Sequence, residues 1–371
     1  MKPHSGNRSR RTALKGLSSG AVGLLFGIGL AQAQTCTPTP TITPCASPSS
    51  CEPFNYGPCP TPAAPEDVDP NNPSPDPPLE PIPTPFQPPD GSILKWRKYI
   101  PAGPSPYPTV LVIHGVGFHG GDSTDAGVEK VSRDLQSSGY LALAVNHRLA
   151  PCGRIAGQDP NYLDPLSGRP PQQTDDIKSL VRAARSLAIC DPGKVGVLGG
   201  SSGASHAIFV ALDKTASPPD TYPNWCQNGN DDRPLCAVGL SGAYDFSDRA
   251  DTGPGLRENY VRDVENYTNT SVRIDQKSVS PVAKVRPESE QTFMPLYLVN
   301  SDGDPMPPHQ IENMRCALVS AGINSNLYTV KTIANNNDHA FALWSDRIFP
   351  GGPKVRDQVI AFLDDHVKNP P

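Results

Sequence analysis

Nothing in this sequence is spaced to hold a metal: there is no CxxC pair and no Cys/His pattern of the kind zinc sites use. Long hydrophobic runs are missing too. The most sustained, Gly16–Leu30, falls short of the ~20 apolar residues that ~30 Å of hydrocarbon demands. Positive charge is scarce. The formal net charge of the 371 residues is −5, yet the first 33 carry five basic groups and no acidic one. The remainder holds 27 basic against 37 acidic groups and stands near −10. That balance excludes nucleic acid and anionic membrane as partners, because both are recognised by clustered Lys and Arg. An ordinary soluble surface has the same acidity. No internal repeat is visible, which excludes a solenoid.

Proline is in excess, with 45 residues, or about 12% of the chain against an average near 5%. Residues 34–90 hold 19 of them in 57 positions. A packed domain does not tolerate that density, since each proline removes a backbone donor. The segment therefore reads as a Pro/Cys-rich, polyproline-type disordered linker. Ahead of it, Ser9-Arg10-Arg11-Thr12-Ala13-Leu14-Lys15 precedes the short apolar stretch, and Ala31-Gln32-Ala33 suits signal peptidase. The twin arginine resembles a bacterial Tat signal, which predicts cleavage after residue 33 and a periplasmic or secreted protein. Ala33-Gln34-Thr35 before Cys36 lacks the leucine and small residue of a lipobox, so no stable membrane anchor is expected. Nine cysteines accord with an oxidising compartment. Cys226 and Cys236 flank a polar loop and make the expected local disulfide.

From residue 91 to 371 the texture is that of one catalytic domain. Thr109–Ile113 and Leu141–Val145 are unbroken apolar runs, the pattern of strands buried on both faces. Ile93–Ile100 reads as an edge strand. Lys194–Leu198, Cys236–Leu240, Pro295–Val299 and Asn326–Val330 supply further strands. Helical stripes run over 126–138, 175–187, 202–212, 308–321 and 355–367. Alternation of strand and helix predicts a mainly parallel sheet flanked by helices. Ser247–Glu290 breaks the rhythm and reads as an insertion over one end of the sheet.

Gly199-Gly200-Ser201-Ser202-Gly203 matches G-x-S-x-G between a strand and a helix. That context makes Ser201 the candidate nucleophile, held on a sharp turn with a helix amino terminus behind it. The chain order Ser…Asp…His then directs attention downstream. His339 lies in a loop after the last strand, and Asp302 and Asp304 follow the strand ending at Val299. Asp304 is the favoured orienter of the histidine, and Asp302 the alternative. His114-Gly115-Val116-Gly117-Phe118 forms a glycine-rich turn after a buried strand. Its amides, with that of Ser202, have the makings of an oxyanion hole.

These residues, together with Asn146-His147-Arg148-Leu149-Ala150-Pro151, Asp304-Pro305-Met306-Pro307 and His339-Ala340-Phe341, carry a resemblance over Leu111–Phe341. The sequence resembles α/β-hydrolase carboxylesterases of the hormone-sensitive-lipase-like and xylan- and feruloyl-esterase-like group. The resemblance implies an α/β-hydrolase fold, a triad of Ser201, Asp304 and His339, and an oxyanion hole at Val116, Gly117 and Ser202. It implies no cofactor and no metal. Val116 stands where the group has glycine, Ser202 where it has alanine, and His147 where it has tyrosine. A Val116 side chain beside the attacked carbonyl is expected to shorten the acyl slot, which predicts acetyl to butyryl esters as substrates.

The expected function is thus an exported serine carboxylester hydrolase working through an acyl-enzyme, on a small-molecule or polysaccharide-linked ester. An amidase, formamidase or peptidase would use the same triad, since the fold does not fix the leaving group. A non-catalytic envelope binding module would require a missing triad member, and none is missing. Oligomeric state, disulfide connectivity and the identity of acid and alcohol are not written in the sequence.

Overall fold

Strand β3 (Tyr107–Ile113) sets the plan of the molecule. Its side chains alternate between two cores: Leu111 and Ile113 face one, Val110 and Val112 the other. All four are fully buried, and each burial is worth ~1.5–3 kcal/mol. In the computed structural model the described residues are 76–89, 91–150, 168–213, 232–249, 256–307 and 309–370. The expected export signal, residues 34–75 of the expected linker, residues 151–167 and Cys226 lie outside them.

The sheet has eight strands: β1 (Glu80–Pro81), β2 (Lys95–Tyr99), β3, β4 (Leu141–Asn146), β5 (Cys190–Gly200), β6 (Ala237–Leu240), β7 (Leu296–Ser301) and β8 (Tyr328–Ile333). Their spatial order is β1-β2-β4-β3-β5-β6-β7-β8. The first two pairings are antiparallel and the rest parallel. Helices α1 (Ala126–Ser137) and α7 (Val355–Leu363) cover one face. On the other lie α2 (Gln172–Arg185), α3 (Ser202–Leu212) and α6 (Gln310–Ser320). The Ser247–Glu290 insertion carries α4 (Leu256–Thr268) and α5 (Arg273–Ser278). A third apolar cluster binds α4 to the sheet end through Phe118, Phe209, Phe246, Tyr260, Val264 and Tyr267. Among the described residues no helix is long and apolar enough to cross a membrane.

Two sequence expectations need correction. Residues 76–89 are not linker. Ile82 and Phe86 are buried in the core beside α2, and Ser179 Oγ donates to the Phe86 carbonyl at 2.6 Å. Gln87 closes this segment onto the body, its Nε2 donating to the Ile82 and Leu94 carbonyls and its Oε1 accepting from the Leu94 amide. Consequently β2 is not the edge; β1 pairs outside it. The prolines are tolerated there because an edge strand has a free side that needs no donor. The second correction is Cys236, which is a buried free thiol, as is Cys190. The expected bridge to Cys226 is not formed, because Cys236 packs inward, its Sγ close to Gly196.

Candidate active site

The chain reaches Ser201 at the carboxyl end of β5 and turns at once into α3. Ser201 has φ 54° and ψ −126°, a conformation that costs a non-glycine residue ~1–3 kcal/mol. Close packing holds the turn on three sides. A Cβ on Gly199 would fall 2.2 Å from the Gly203 carbonyl oxygen, and one on Gly203 would fall 2.3 Å from the carbonyl oxygens of Ile113 and His114. The Ser201 amide is anchored on the Leu240 carbonyl of β6 at 2.9 Å. The glycines of the pentapeptide thus let β3, β5 and α3 meet, and the serine is left at their junction.

Asp304 and His339 come from the loops after β7 and β8. These loops are laced together: Ser301 Oγ donates to the Asp338 carbonyl, and the Gly303 amide to the Asn336 carbonyl. His339 Nδ1 lies 2.9 Å from Asp304 Oδ1. A carboxylate oxygen accepts, so Nδ1 carries the proton and Nε2 is left as a base. Asp304 has a side chain only 4% exposed, and its Oδ1 also accepts from the Met306 amide at 2.9 Å. Asp302 does different work. It is exposed and accepts from the amides of Asn335 and Asn336 at 2.8 and 3.1 Å, bracing the loop that leads to His339. The amide of Asn336, followed by that of Asn335, holds its carboxyl below the usual range.

Ser201 and His339 line one pocket of about 150 Å³, shared with Gly117, Phe118, Ser202, Ala243, Asn259, Tyr260, Asp263, Val264, Pro305 and Met306. Ser202 opens α3, so its amide has no carbonyl one turn back to bond. Val116, Gly117 and Phe118 coil through φ values of 72°, 60° and 67°. The turn is held from below: the Phe118 carbonyl accepts from Ala150 N at 2.9 Å and from Gln173 Nε2 at 2.7 Å. Three buried histidines back it. His114 stacks on His147 with ring centroids 4.4 Å apart, and His206 meets His147 edge-on at 5.2 Å. Burial pushes His206 down to about 3 and holds His147 and His114 below their usual range, so all three are neutral.

One expectation about this turn fails. The Val116 side chain is 53% exposed and folds back on Gly120, whose Cβ would fall 2.8 Å from Val116 Cγ1. Val116 is not part of the pocket lining. Its side chain therefore does not shorten an acyl slot. What narrows the pocket instead is α4, which presents Asn259, Tyr260, Asp263 and Val264 at helical spacing. The sequence reading singled out none of these four residues. Their i, i+1, i+4, i+5 spacing was the available signal, but nothing local says that this stripe faces a site. Among the described residues no group of three or more His, Cys, Asp or Glu is placed to hold a metal ion.

No curated protein matches the sequence. Solved structures do match in fold. A carbohydrate esterase from gut microbiota, in truncated form, superposes with a TM-score of 0.54 at 15% identity over 75% of this chain and 91% of that one. An acetyl ester-xyloside bifunctional hydrolase from Caldicellulosiruptor lactoaceticus gives 0.52 at 19% identity, covering 73% and 90%. The propionate-bound esterase Est2 of the Planctomycetes species Thermogutta terrifontis gives 0.51 at 19%, covering 71% and 85%. The shared architecture is the α/β-hydrolase fold. A family model matches residues 99–318, taking in the glycine-rich turn, the serine turn and Asp304. On that match, over more than half of its length, the chain belongs to the BD-FAE family.

Proposed function

We propose that this BD-FAE-family α/β-hydrolase is a serine carboxylic ester hydrolase in which Ser201, His339 and Asp304 act as a triad. The observation that carries the reading is the 2.9 Å bond between His339 Nδ1 and Asp304, on the wall of the pocket that Ser201 also lines. In the proposed reaction Ser201 Oγ attacks the ester carbonyl while His339 Nε2 takes its proton. The imidazolium that forms is stabilised by Asp304. Negative charge growing on the carbonyl oxygen is met by the amides of Val116, Gly117 and Ser202, and by the amino terminus of α3. Collapse expels the alcohol, which receives the proton from His339. Water then attacks the acyl-enzyme by the same route and releases the acid.

Short acyl groups suit the site, on grounds other than Val116. A cavity of about 150 Å³ is small beside the ~300–1,000 Å³ of sites for drug-sized ligands, and Phe118, Tyr260 and Val264 line it. The Thermogutta terrifontis esterase binds propionate, an acid of that size. Esters of plant polysaccharides are candidate natural substrates, in keeping with the carbohydrate and xyloside hydrolases that share the fold. The twin-arginine segment is proposed to export the chain to the periplasm or medium. Lysines in place of Arg10 and Arg11 should then retain the precursor in the cytoplasm.

The deciding experiment compares Ser201→Ala and Ser202→Ala on p-nitrophenyl acetate, butyrate and octanoate, and on an anilide. Ser201→Ala should lose ester turnover by several orders of magnitude. Ser202→Ala should keep most of it, because only its amide is used. Equal loss in both would mean the nucleophile is misassigned. Faster turnover of the anilide than of the esters would turn the reading to an amidase.

A further inference from the structure

We infer that Asp263, on the insertion helix α4, makes this pocket reject substrates that carry a second, negatively charged carboxylate; the inference rests on the ester-hydrolase reading above. Its carboxylate sits directly against the glycine-rich turn. A Cβ on Gly117 would fall 2.4 Å from Asp263 Oδ2 and 2.8 Å from its Cγ, so Gly117 has both a left-handed φ and an acidic group in the space of its missing side chain. The two carboxylate oxygens face different surroundings. Oδ1 takes His119 Nε2 at 3.2 Å and lies 3.9 Å from Arg262 Nε. Oδ2 is the oxygen against Gly117, and both residues line the pocket. Among the described residues lining the pocket, Asp263 is the acidic side chain and none is Lys or Arg; Arg262, outside the lining, reaches Oδ1 alone.

The physical consequence follows from position. Asp263 is 23% exposed, so its charge acts across a pocket that bound substrate would largely dry. Every ester brings one developing negative charge, on the carbonyl oxygen, and the backbone donors answer it. A carboxylate elsewhere on the substrate has no such partner and meets Asp263 as a like charge. Discrimination of this kind works by repulsion rather than by added attraction. The same field acts on the acid that hydrolysis produces, and favours its departure.

The test uses two pairs of esters matched in shape, one differing on the acyl side and one on the alcohol side. Methyl 4-methylpentanoate is set against monomethyl succinate, and isobutyl acetate against acetoxyacetate, by acid release at constant pH. The wild-type enzyme should favour the neutral member of at least one pair by about tenfold or more in kcat/KM, and Asp263→Asn should bring that ratio close to one. Raising salt from about 0.02 to 1 M should narrow the wild-type ratio without any substitution, since it screens a partly exposed charge. A folded Asp263→Asn enzyme with unchanged ratios overturns the inference, even if all four rates fall, because that pattern means Asp263 only holds the turn. Wild-type ratios indifferent to salt overturn it as well. No turnover of either neutral ester removes the hydrolase reading itself, and this inference with it.

Discussion

At Asp304 and Asp302 two residues of one type, two positions apart, have opposite surroundings. Asp304 is buried against His339, whereas Asp302 is exposed and accepts from backbone amides of the loop after β8. Asp304→Asn should leave His339 in the wrong tautomer and cost ~10⁴ in kcat, the size seen when a serine protease triad loses its acid. Asp302→Asn should cost less than tenfold, through a looser His339 loop, and the two kcat values on p-nitrophenyl butyrate decide the matter. Val116 offers a separate test. A β-branched residue at φ 72° is strained, and its side chain points away from the pocket. Val116→Gly should therefore leave the acyl-length optimum unmoved. It should also raise stability by up to ~1 kcal/mol, the strain released less the entropy glycine regains on unfolding. A shift of the optimum toward long acids would restore Val116 as a wall of the slot.

Among the elements, β1 and the turn after it change what counts as the domain. Ile82 and Phe86 are buried in the core cluster shared with α2, and the Gln87 side chain pins the chain to Leu94. Phe86→Ala should cost ~3–5 kcal/mol and Ile82→Ala ~2–5 kcal/mol, the range for emptying a core position. A protein beginning at residue 76 should match the full chain in its urea midpoint, while one beginning at residue 91 should fall well below it. Equal midpoints for the two truncations would mean that the segment packs without stabilising. Helix α4 acts at the same scale. It is tied to the glycine-rich turn by Phe118 stacked on Tyr267 at 4.2 Å, which joins the wall of the pocket to the turn beneath it.

For the whole molecule the buried histidines make stability sensitive to acid. His206 sits near 3 in the folded protein against about 6.5 unfolded, and His147 and His114 are shifted in the same direction by burial. A histidine held neutral stabilises fully above the unfolded value, and the unfolded chain gains protons first as pH falls. Stability should therefore decline from about pH 6.5 downward, by up to ~1.4 kcal/mol per pH unit for each histidine. Asp175 opposes this. Burial raises it to about 6, so it favours the folded state increasingly as pH falls through 6 toward its unfolded value near 3.9. One aspartate offsets at most one histidine, so the decline should begin near pH 6.5 and continue below pH 6. His206→Gln should flatten the urea midpoint against pH over 7.5–5.5. An unchanged slope would mean that His206 is not the group taking up protons.

Much of this protein was legible as sequence. The unbroken apolar runs of β3 and β4 report burial on both faces, and alternation with helical stripes gives the parallel sheet, because both are properties of neighbouring residues. The pentapeptide around Ser201 is equally local: its glycines are required where β5 turns into α3. The order of serine, aspartate and histidine pointed to the loops after β7 and β8, but which aspartate meets His339 depends on how the ends of those strands lie together. The same holds for Ile82 and Phe86, whose proline-rich surroundings describe a linker until a groove beside α2 is there to take them. It holds for Cys236, turned inward just before β6, and for Val116, whose direction is fixed by a turn that Ala150 and Gln173 brace from far along the chain. Asp263 shows the limit most plainly. Its charge can be read from one letter, but its place against Gly117 is made by a helix 146 positions further on, and only packing brings the two together.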